Sequence, residues 1–441
     1  MIVHGASPRS PYPWVVVLIL TMTFAVSLID RQVLNLLVDP IRASLLISDT
    51  EFSLFQGLAF MVAFVLFSPI VGGLVDRVHR RNLLMAAVVI WSLCTVACGL
   101  STSFAMLFVA RCGVGIAEAV VTPASWSLLA DMFDQRRLPR ALSIFQIGPF
   151  IGGGLALIIG GLLVGVAPGL ISSIPLFSGL EPWQLVFIAA GLPGLPFALI
   201  LLIVREPVRG STSTYRSGMT LQESLTFIWQ RRRFYLRFCL GLSGTITSMY
   251  ALPAWMPAVL IRTLKADPAR VGVDYGLVGL IAGVIGVLAG PVVGAMLTAR
   301  YGPRSIVYVP VLAAVGLIPA GLAIGLANTY AAGLAIAAVA TFLFCLPQAM
   351  SAAAFQIATP AGMRGLVASI YAFIVASIGL VVGPTLVAFL TDHVFREPAR
   401  VDISLGIVVS CAAIFATWQL LGAAPHYQPL DESAPPGEAA R

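Results

Sequence analysis

Charged residues are scarce in this chain of 441 residues. Asp, Glu, Lys and Arg make up 10% of it, whereas they form roughly 25% of an average soluble domain. Apolar residues make up 59%, and a mean hydropathy of +0.96 leaves too little polar surface to cover a water-soluble globule. The apolar runs reach about twenty residues, the length of a spanning helix, whereas barrel strands are shorter and alternate in polarity. The composition predicts an all-α integral membrane protein.

Motifs of pumps and of the common enzyme classes are missing as well. The sequence contains no GxxxxGK[ST] loop, no HExxH and no GxSxG, and its four histidines fall in predicted tails or loops. The six cysteines lie inside apolar runs without CxxC spacing. The net charge of +7 comes from short basic clusters between apolar runs, which indicates membrane topology and no nucleic-acid partner. We therefore expect no enzyme, no catalytic residue, no metal and no cofactor.

Twelve apolar runs reach spanning length. They cover residues 14–38, 52–75, 82–101, 104–132, 138–166, 183–204, 234–262, 273–298, 304–326, 330–358, 365–391 and 401–423. The longest polar segment divides them into six and six. The predicted domains are an N-terminal six-helix bundle (1–204), a cytoplasmic linker (205–233), a C-terminal six-helix bundle (234–424) and a cytoplasmic tail (425–441).

The distribution of basic residues predicts the orientation. If both termini are cytoplasmic, the inner segments hold 18 basic residues and the outer segments hold 6. This bias favours a multi-pass protein with both termini inside. Of the 26 basic residues, 25 are Arg, which suggests a GC-rich bacterium and therefore an inner membrane.

An internal repeat relates the two halves. Pro123 and Pro347 are 224 positions apart, and so are Arg140 and Arg364. Six spans return a chain to the side on which it started, so the repeats must be parallel. Two parallel six-helix bundles with a cavity between them are the expected architecture.

Four ionisable residues fall deep inside predicted spans: Asp30 and Arg31 in the first, Arg111 and Glu118 in the fourth. Each costs on the order of 2.5–3.5 kcal/mol at a helix centre. Asp30 and Arg111 lie at similar depth, which predicts an ion pair. Glu118 lies about 10 Å deeper on the face that carries Arg111. These charges either couple transport to protons or brace the two helices.

Arg31 points about 100° away from Asp30 in a regular helix. It either contacts a substrate or braces another helix, and the sequence leaves both readings open. The second half offers neutral candidates for the other cavity wall. The predicted substrate-binding residues are Arg31, Glu118, Tyr250, Trp255, Gln348 and Tyr371.

The loop GGLVDRVHRR (72–81) is basic and tight, which is typical either of a positive-inside anchor or of a latch between helix ends. It resembles the signature G-x-x-x-D-R-x-G-R-R of the major facilitator superfamily, with His79 in place of the last Gly. The repeat has Ala299 where an acid would stand, so a latch would be one-sided. The predicted gating residues are Gly72, Asp76, Arg77, Arg80, Arg81 and Arg300.

Further motifs resemble the Spinster-like branch of that superfamily. The run RCGVGIAEA (111–119) is similar to its R-x-x-x-G-x-G-E-A pattern, with Ala117 in place of the second Gly, and WMPAVL (255–260) is similar to its W-x-P-x-x-L run. The resemblance implies the major facilitator fold of twelve helices. It also implies proton-linked roles for Asp30 and Arg111.

The fifth span carries GPFIGGG (148–154), which resembles the antiporter motif of the superfamily. Close helix packing explains the same glycines.

The predicted function is secondary active transport of a small organic solute, an organic anion or an amphiphile, by alternating access. Asp30, Arg111 and Glu118 would couple transport to protons. The expected partners are the substrate, protons and the lipid bilayer, with the chain acting as a monomer. The alternatives are a proton-linked efflux antiporter, an uncoupled facilitator and a membrane sensor of transporter fold.

Overall fold

The computed structural model describes residues 11–133, 137–145, 147–177, 179–207, 221–360, 367, 378–379 and 381–429. Ten of the described helices are long and apolar enough to cross a membrane. A bent pair, Val38–Leu45 with Asp49–Ala63, meets the same criteria jointly, and a shorter apolar helix covers Val381–Phe395. The predicted all-helical class of about twelve spans is confirmed.

We number the spans in the predicted order. Spans 1 and 3 to 6 are Tyr12–Leu36, Arg80–Gly99, Phe104–Leu129, Gly148–Ser173 and Pro182–Ile203; spans 7 to 10 and 12 are Arg232–Thr263, Pro268–Tyr301, Arg304–Ile324, Tyr330–Phe355 and Pro398–His426. Span 2 covers residues 49–77, and span 11 is described over Val381–Phe395. A short helix, Leu221–Gln230, precedes span 7.

The predicted fifth run, 138–166, corresponds to two helices, Leu138–Phe145 and Gly148–Ser173. Pro149 stands in the first turn of the second helix. Proline is suited to that position because its missing N–H would have no partner there and its fixed φ is already helical. The described span 5 therefore begins later than residue 138 and ends later than residue 166.

The chain divides into two compact units. Unit 1 comprises Met1–Gly210, Pro257–Leu280 and Thr391–Pro398, and unit 2 comprises Ser211–Met256, Ile281–Leu390 and Ala399–Arg441. Spans 7, 8 and 11 thus each contribute to both units. The predicted domain borders at 204, 233 and 424 stay a prediction.

Glycines let span 5 approach two other helices of unit 1 closely. A Cβ on Gly148 would lie 2.7 Å from the carbonyl oxygen of Thr21, and one on Gly152 would overlap the backbone of Ala25. On the other side, a Cβ on Gly161 would lie 2.8 Å from Cα of Gly272 in span 8. The glycine-rich motif therefore serves close packing, as small residues do between membrane helices. Its link to antiport stays a prediction.

Unit 2 is held at one end by a cluster of aromatic side chains from spans 7 and 10 and the segment after span 12. The cluster consists of Phe234, Tyr235, Phe238, Phe355 and Tyr427. The hydroxyl of Tyr235 donates to the carbonyl oxygen of Ala358 at 3.0 Å. Tyr427 is buried in this cluster, and burial raises its pKa to about 12.

The contact between spans 5 and 8 predicts a position-specific effect of one methyl group. Gly272→Ala places a Cβ against the backbone of Gly161 and should destabilise the protein by about 1–3 kcal/mol. Gly279→Ala, in the same helix, meets nothing within 4 Å and should raise stability by about 0.5–1 kcal/mol, because alanine favours a helix over glycine. Thermal unfolding in detergent measures both. Equal midpoints for the two variants would contradict the close contact.

Candidate functional site

Spans 1 and 4 are both interrupted near their charged residues. In span 1 the helix Tyr12–Val26 ends in a turn, and a new helix, Ile29–Val33, carries Asp30 and Arg31. In span 4 the first helix ends at Glu118 and the next begins at Val121. Pro123 accounts for this second break because it cannot donate to the carbonyl of residue 119 and its ring collides with the preceding turn.

The predicted ion pair between Asp30 and Arg111 is present. Nη1 of Arg111 donates to Oδ2 of Asp30 at 2.6 Å, and the hydroxyl of Thr95 in span 3 donates to the same oxygen at 3.2 Å. Arg111 is fully buried, and Asp30 is buried beside it. In a low-dielectric interior each charge needs the other, so the pair also ties span 1 to span 4. Its role in proton coupling stays a prediction.

Arg31 forms a second ion pair with Glu118. Glu118 is buried, whereas the Arg31 side chain keeps 22% of its surface exposed. The sequence offered no partner for Glu118 and left the role of Arg31 open. Asp30 and Arg31 are neighbours in one helix, so their side chains leave the axis about 100° apart, and the long arginine side chain covers the distance to Glu118. Both residues of the first span that carry charge therefore face span 4.

Phe60 of span 2 lies against both arginines. The guanidinium carbon of Arg31 is 3.9 Å from the centre of the ring, and that of Arg111 is 5.8 Å from it. A π-helical turn, Leu54–Ala59, immediately precedes Phe60, and such turns recur at functional sites. A Cβ on Gly115 would lie 2.6 Å from the Phe60 carbonyl oxygen. The glycine of the RCGVG run therefore lets span 4 dock on span 2.

Several polar atoms of this charged quartet (Asp30, Arg31, Arg111 and Glu118) lack hydrogen-bond partners among the described residues. They are Oδ1 of Asp30, Oε1 of Glu118 and both Nε and Nη2 of Arg111. Buried polar groups rarely stay unsatisfied in native proteins. The quartet thus offers free acceptors and donors to a proton, a water molecule or a ligand.

A chain of amide side chains continues the polar surface within unit 1. Gln56 donates to Asn35, and Asn35 donates to Gln32 at 2.8 Å. Gln56 and Asn35 are buried. The sequence analysis missed these residues because an isolated amide in an apolar run carries no spacing signal.

The predicted substrate-binding residues of the second half all belong to unit 2. Trp255 is buried, and its indole N–H donates to the carbonyl oxygen of Pro384 at 2.9 Å. Tyr250 is half-buried, and the amide of Gln348 donates to Sδ of Met249 at 3.2 Å. Tyr371 lies outside the described residues. Contact of these residues with a substrate stays a prediction.

One predicted gating residue, Arg80, is buried in a polar cluster at the start of span 3. It donates to Asp131 at 2.5 Å, to Glu206 at 2.8 Å and to the hydroxyl of Ser127 at 2.8 Å. The backbone N–H of Arg81 donates to Glu206 at 3.0 Å. Sequence reasoning found no partner for this arginine, because Glu206 is 126 positions away.

The other gating candidates are placed differently. Arg77 and Arg300 are exposed, and the Arg81 side chain is half-buried. The surroundings of Gly72 and the side chain of Asp76 lie outside the described part of the chain. A gating role for the six residues stays a prediction.

A second ionic cluster, formed by Asp39, Arg42, Asp49 and Arg262, lies near the start of span 2. Nη1 and Nη2 of Arg262 donate to the two oxygens of Asp49 at 2.7 and 2.8 Å, and its Nε donates to Asp39 at 2.7 Å. Nε of Arg42 approaches Asp49 at 2.9 Å. Arg42 and Arg262 are two of the six basic residues in the predicted outer segments, and their partners were not predicted.

Asp392 makes a similar long-range contact in unit 1. Its Oδ2 accepts from the backbone N–H of Thr50 at 2.6 Å and from the Thr50 hydroxyl at 2.7 Å. A carboxylate at this position satisfies a free N–H in the first turn of span 2 and interacts favourably with the helix dipole.

Residues 20–384 match the family model of the Major Facilitator Superfamily. The chain belongs to the major facilitator superfamily. An MFS-type efflux pump of Mycolicibacterium smegmatis is 25% identical to this superfamily member over 423 residues, which cover 95% of this chain and 92% of the pump.

Within the superfamily the chain resembles the spinster proteins, as predicted. Protein spinster homolog 1 of Mus musculus is 27% identical over 65% of this chain and 54% of its own length. The sphingosine-1-phosphate transporter SPNS2 of Danio rerio is 25% identical over 62% of this chain and 52% of its own length. The chain thus spans about half the length of these spinster relatives.

Solved structures support the fold. The crystal structure of a bacterial homolog to the human lysosomal transporter Spinster superposes with a TM-score of 0.79 at 24% identity, over 96% of this chain and 97% of that one. A D-xylose-proton symporter superposes with a TM-score of 0.68 at 17% identity, over 92% and 97%. The chain is a multi-pass membrane transporter of the major facilitator fold and not an enzyme.

The cluster around Arg262 yields a stability prediction for this transporter. Asp49 is fully buried, so Asp49→Asn leaves two arginines with only the partly exposed Asp39 as counter-charge and should cost up to about 3–5 kcal/mol. Asp274→Asn is the control, because its pair with Arg270 is exposed and should contribute less than about 0.5 kcal/mol. Chemical denaturation in detergent compares them. Similar losses would mean that the buried cluster adds nothing beyond surface charge.

The cluster around Arg80 predicts a pH-dependent contribution. Burial by itself would raise the pKa of Glu206, but hydrogen bonds from the Arg81 backbone and from Arg80 outweigh it and hold the pKa below its ordinary value of 4.5. The stability that Glu206 contributes is therefore complete above pH 4.5 and is lost as the pH falls through the lowered pKa.

Glu206→Gln should accordingly lower the thermal midpoint at pH 7 and converge with the wild type in acid. Unfolding scans between pH 3 and pH 7 measure the difference. Arg81→Ala serves as the control, since it removes a neighbouring charge and keeps the backbone N–H that bonds Glu206. A Glu206→Gln difference that stays constant into acid would refute the assignment.

Proposed function

We propose that this protein is a proton-coupled secondary transporter of a small organic anion or anionic amphiphile, with alternating access to the charged quartet. The observation that carries the proposal is the pairing of two acids with two arginines inside a membrane-spanning unit, with unsatisfied polar atoms left over. Intramembrane charges of this kind are expensive and mark ion or substrate pathways.

Charge balance within the quartet supplies the coupling. Two carboxylates and two guanidiniums are neutral together, and an anion that enters alone would leave one uncompensated negative charge in a medium of low dielectric constant. A proton on one carboxylate removes that excess and frees the arginine that the carboxylate had paired. Proton and anion therefore bind together at the quartet.

The two ion pairs have different roles in this proposal. Arg31 is partly exposed and Arg111 is fully buried, so a ligand reaches the Arg31–Glu118 pair first. We assign substrate contact to Arg31 and Glu118 and the proton accompanying the substrate to Glu118. Asp30 and Arg111 form the inner part of the proton-coupling set.

A proton-linked efflux antiporter is the second candidate. Two observations favour it: the glycine-rich motif of span 5 and the similarity, over 95% of the chain, to a protein named an MFS-type efflux pump. By the same charge balance, an antiporter with this quartet would carry a cationic substrate. A cation competes with the proton for Glu118, and competition at one site gives antiport.

The proposed location is the inner membrane of a bacterium, with both termini in the cytoplasm and the chain acting as a monomer. The threefold excess of basic residues in the inner segments supports this orientation. The similarity to a mycobacterial efflux pump supports the compartment.

Two probes with the same tail and opposite fixed charges test the proposal. Octanesulfonate and octyltrimethylammonium carry no titratable group, so any proton movement in proteoliposomes comes from the protein. Inward octanesulfonate movement with acidification of the lumen supports symport. Entry of octyltrimethylammonium with alkalinisation would favour the antiporter instead.

Glu118→Gln should separate substrate movement from proton movement. The neutral amide mimics the protonated acid, so exchange of octanesulfonate down its gradient should continue while lumenal acidification falls at least tenfold. Asp274→Asn, at an exposed pair outside the quartet, should behave like the wild type. Undiminished acidification in Glu118→Gln would rule out this carboxylate as the coupling group.

A further inference from the structure

Two guanidiniums share one aromatic ring in unit 1. Phe60 is buried, Arg31 lies 3.9 Å from its ring centre, and Arg111 lies 5.8 Å from it. Attraction between a cation and a ring acts within about 6 Å and is stronger where water is excluded. The ring therefore attracts Arg31 strongly, whereas Arg111 lies near the distance limit of this interaction.

We propose that Phe60 is a positioning residue, which keeps Arg31 in its ligand-binding geometry after Glu118 has taken up a proton. The inference rests on the proposed function. In the charge-paired state Glu118 holds the guanidinium. Once Glu118 is neutral, the charge–charge part of that contact is gone, whereas the contact with the ring face does not depend on the protonation of Glu118.

Without the ring, the Arg31 side chain would lose one contact that orders it before the ligand binds. A flexible arginine loses rotamer entropy when it is ordered during binding, and this loss reduces affinity. A guanidinium held over the ring is already oriented, and its planar donors remain available at the edge for an anionic group. Phe60 thus lowers the cost of anion binding without touching the anion.

The backbone fixes the ring in turn. Phe60 follows the π-helical turn Leu54–Ala59 directly, and its carbonyl packs against Gly115, three residues before Glu118. This close contact fixes the position of Phe60 relative to the helix that carries Glu118. Two partners of Arg31, the Glu118 carboxylate and the Phe60 ring, therefore lie on helices that are packed against each other.

Fluorinated phenylalanines at position 60 test the inference with little change of shape. Mono-, di- and trifluorination weaken the negative ring face stepwise, so the KM for octanesulfonate should rise with each step, to on the order of tenfold for the trifluoro ring. The maximal rate should stay unchanged, because the lost interaction is made equally in the ground state and the transition state. Thermal midpoints report whether folding is preserved.

Natural substitutions provide the rescue. Phe60→Leu keeps an apolar side chain without a ring and should raise KM, whereas Phe60→Tyr should restore it to near the wild-type value. Trifluorophenylalanine at Phe55, a buried ring of the same span that packs against Phe52, is the matched control. An unchanged KM across the fluorinated series, or equal KM values for Phe60→Leu and Phe60→Tyr, would overturn the inference.

The outcome for the wild type separates the two proposals. If unmodified protein carries no octanesulfonate, the proposed anion transport fails, and the role of Phe60 fails with it before any variant is made. If the wild type carries octanesulfonate with proton movement and fluorination has no effect, the transport proposal survives and only the positioning role of Phe60 is overturned.

Discussion

A charge buried in a membrane protein is stable only beside an opposite charge, and unit 1 is organised around that requirement. Asp30, Glu118 and Asp49 are buried acids, and each meets an arginine from a distant part of the chain. Removing one member of such a pair leaves the other without compensation, at a cost of several kcal/mol. The ion pairs therefore constrain how spans 1 and 4, and spans 2 and 7, pack against each other.

Irregular backbone allows the charged residues and Phe60 to reach their partners. A short helix that follows the break in span 1 carries Asp30 and Arg31, and Pro123 accounts for the end of the helix at Glu118. The π-helical turn in span 2 directly precedes Phe60, which contacts the two arginines. Gly115 removes the side chain that would keep spans 2 and 4 apart. In an unbroken membrane helix, each backbone group inside the helix has a hydrogen-bond partner. Each irregularity loses such bonds, so another interaction must compensate for their absence.

The spans and one ion pair could be predicted from the sequence because both depend on local properties of the helix. Span length and helical rise are local properties, and depth along two spans was enough to pair Asp30 with Arg111. The pairs Arg31–Glu118, Arg80–Glu206 and Arg262–Asp49 were not predicted. They depend on helix rotation or on contacts between residues up to 213 positions apart, which hydropathy does not encode. Phe60 was missed because a phenylalanine in an apolar span is indistinguishable by type from a packing residue.

The neutral quartet constrains transport more tightly than the fold does. The major facilitator fold serves many substrates, so specificity must come from individual side chains. Under the proposed function, four charges that sum to zero would admit an anion only together with a proton, and a cation only in place of one. The sign of the substrate's charge and the direction of proton movement would then be a single property of this site. Because the Arg31 side chain is partly exposed and Arg111 is fully buried, we assign this choice to Arg31 and Glu118, while the buried pair of Asp30 and Arg111 ties span 1 to span 4.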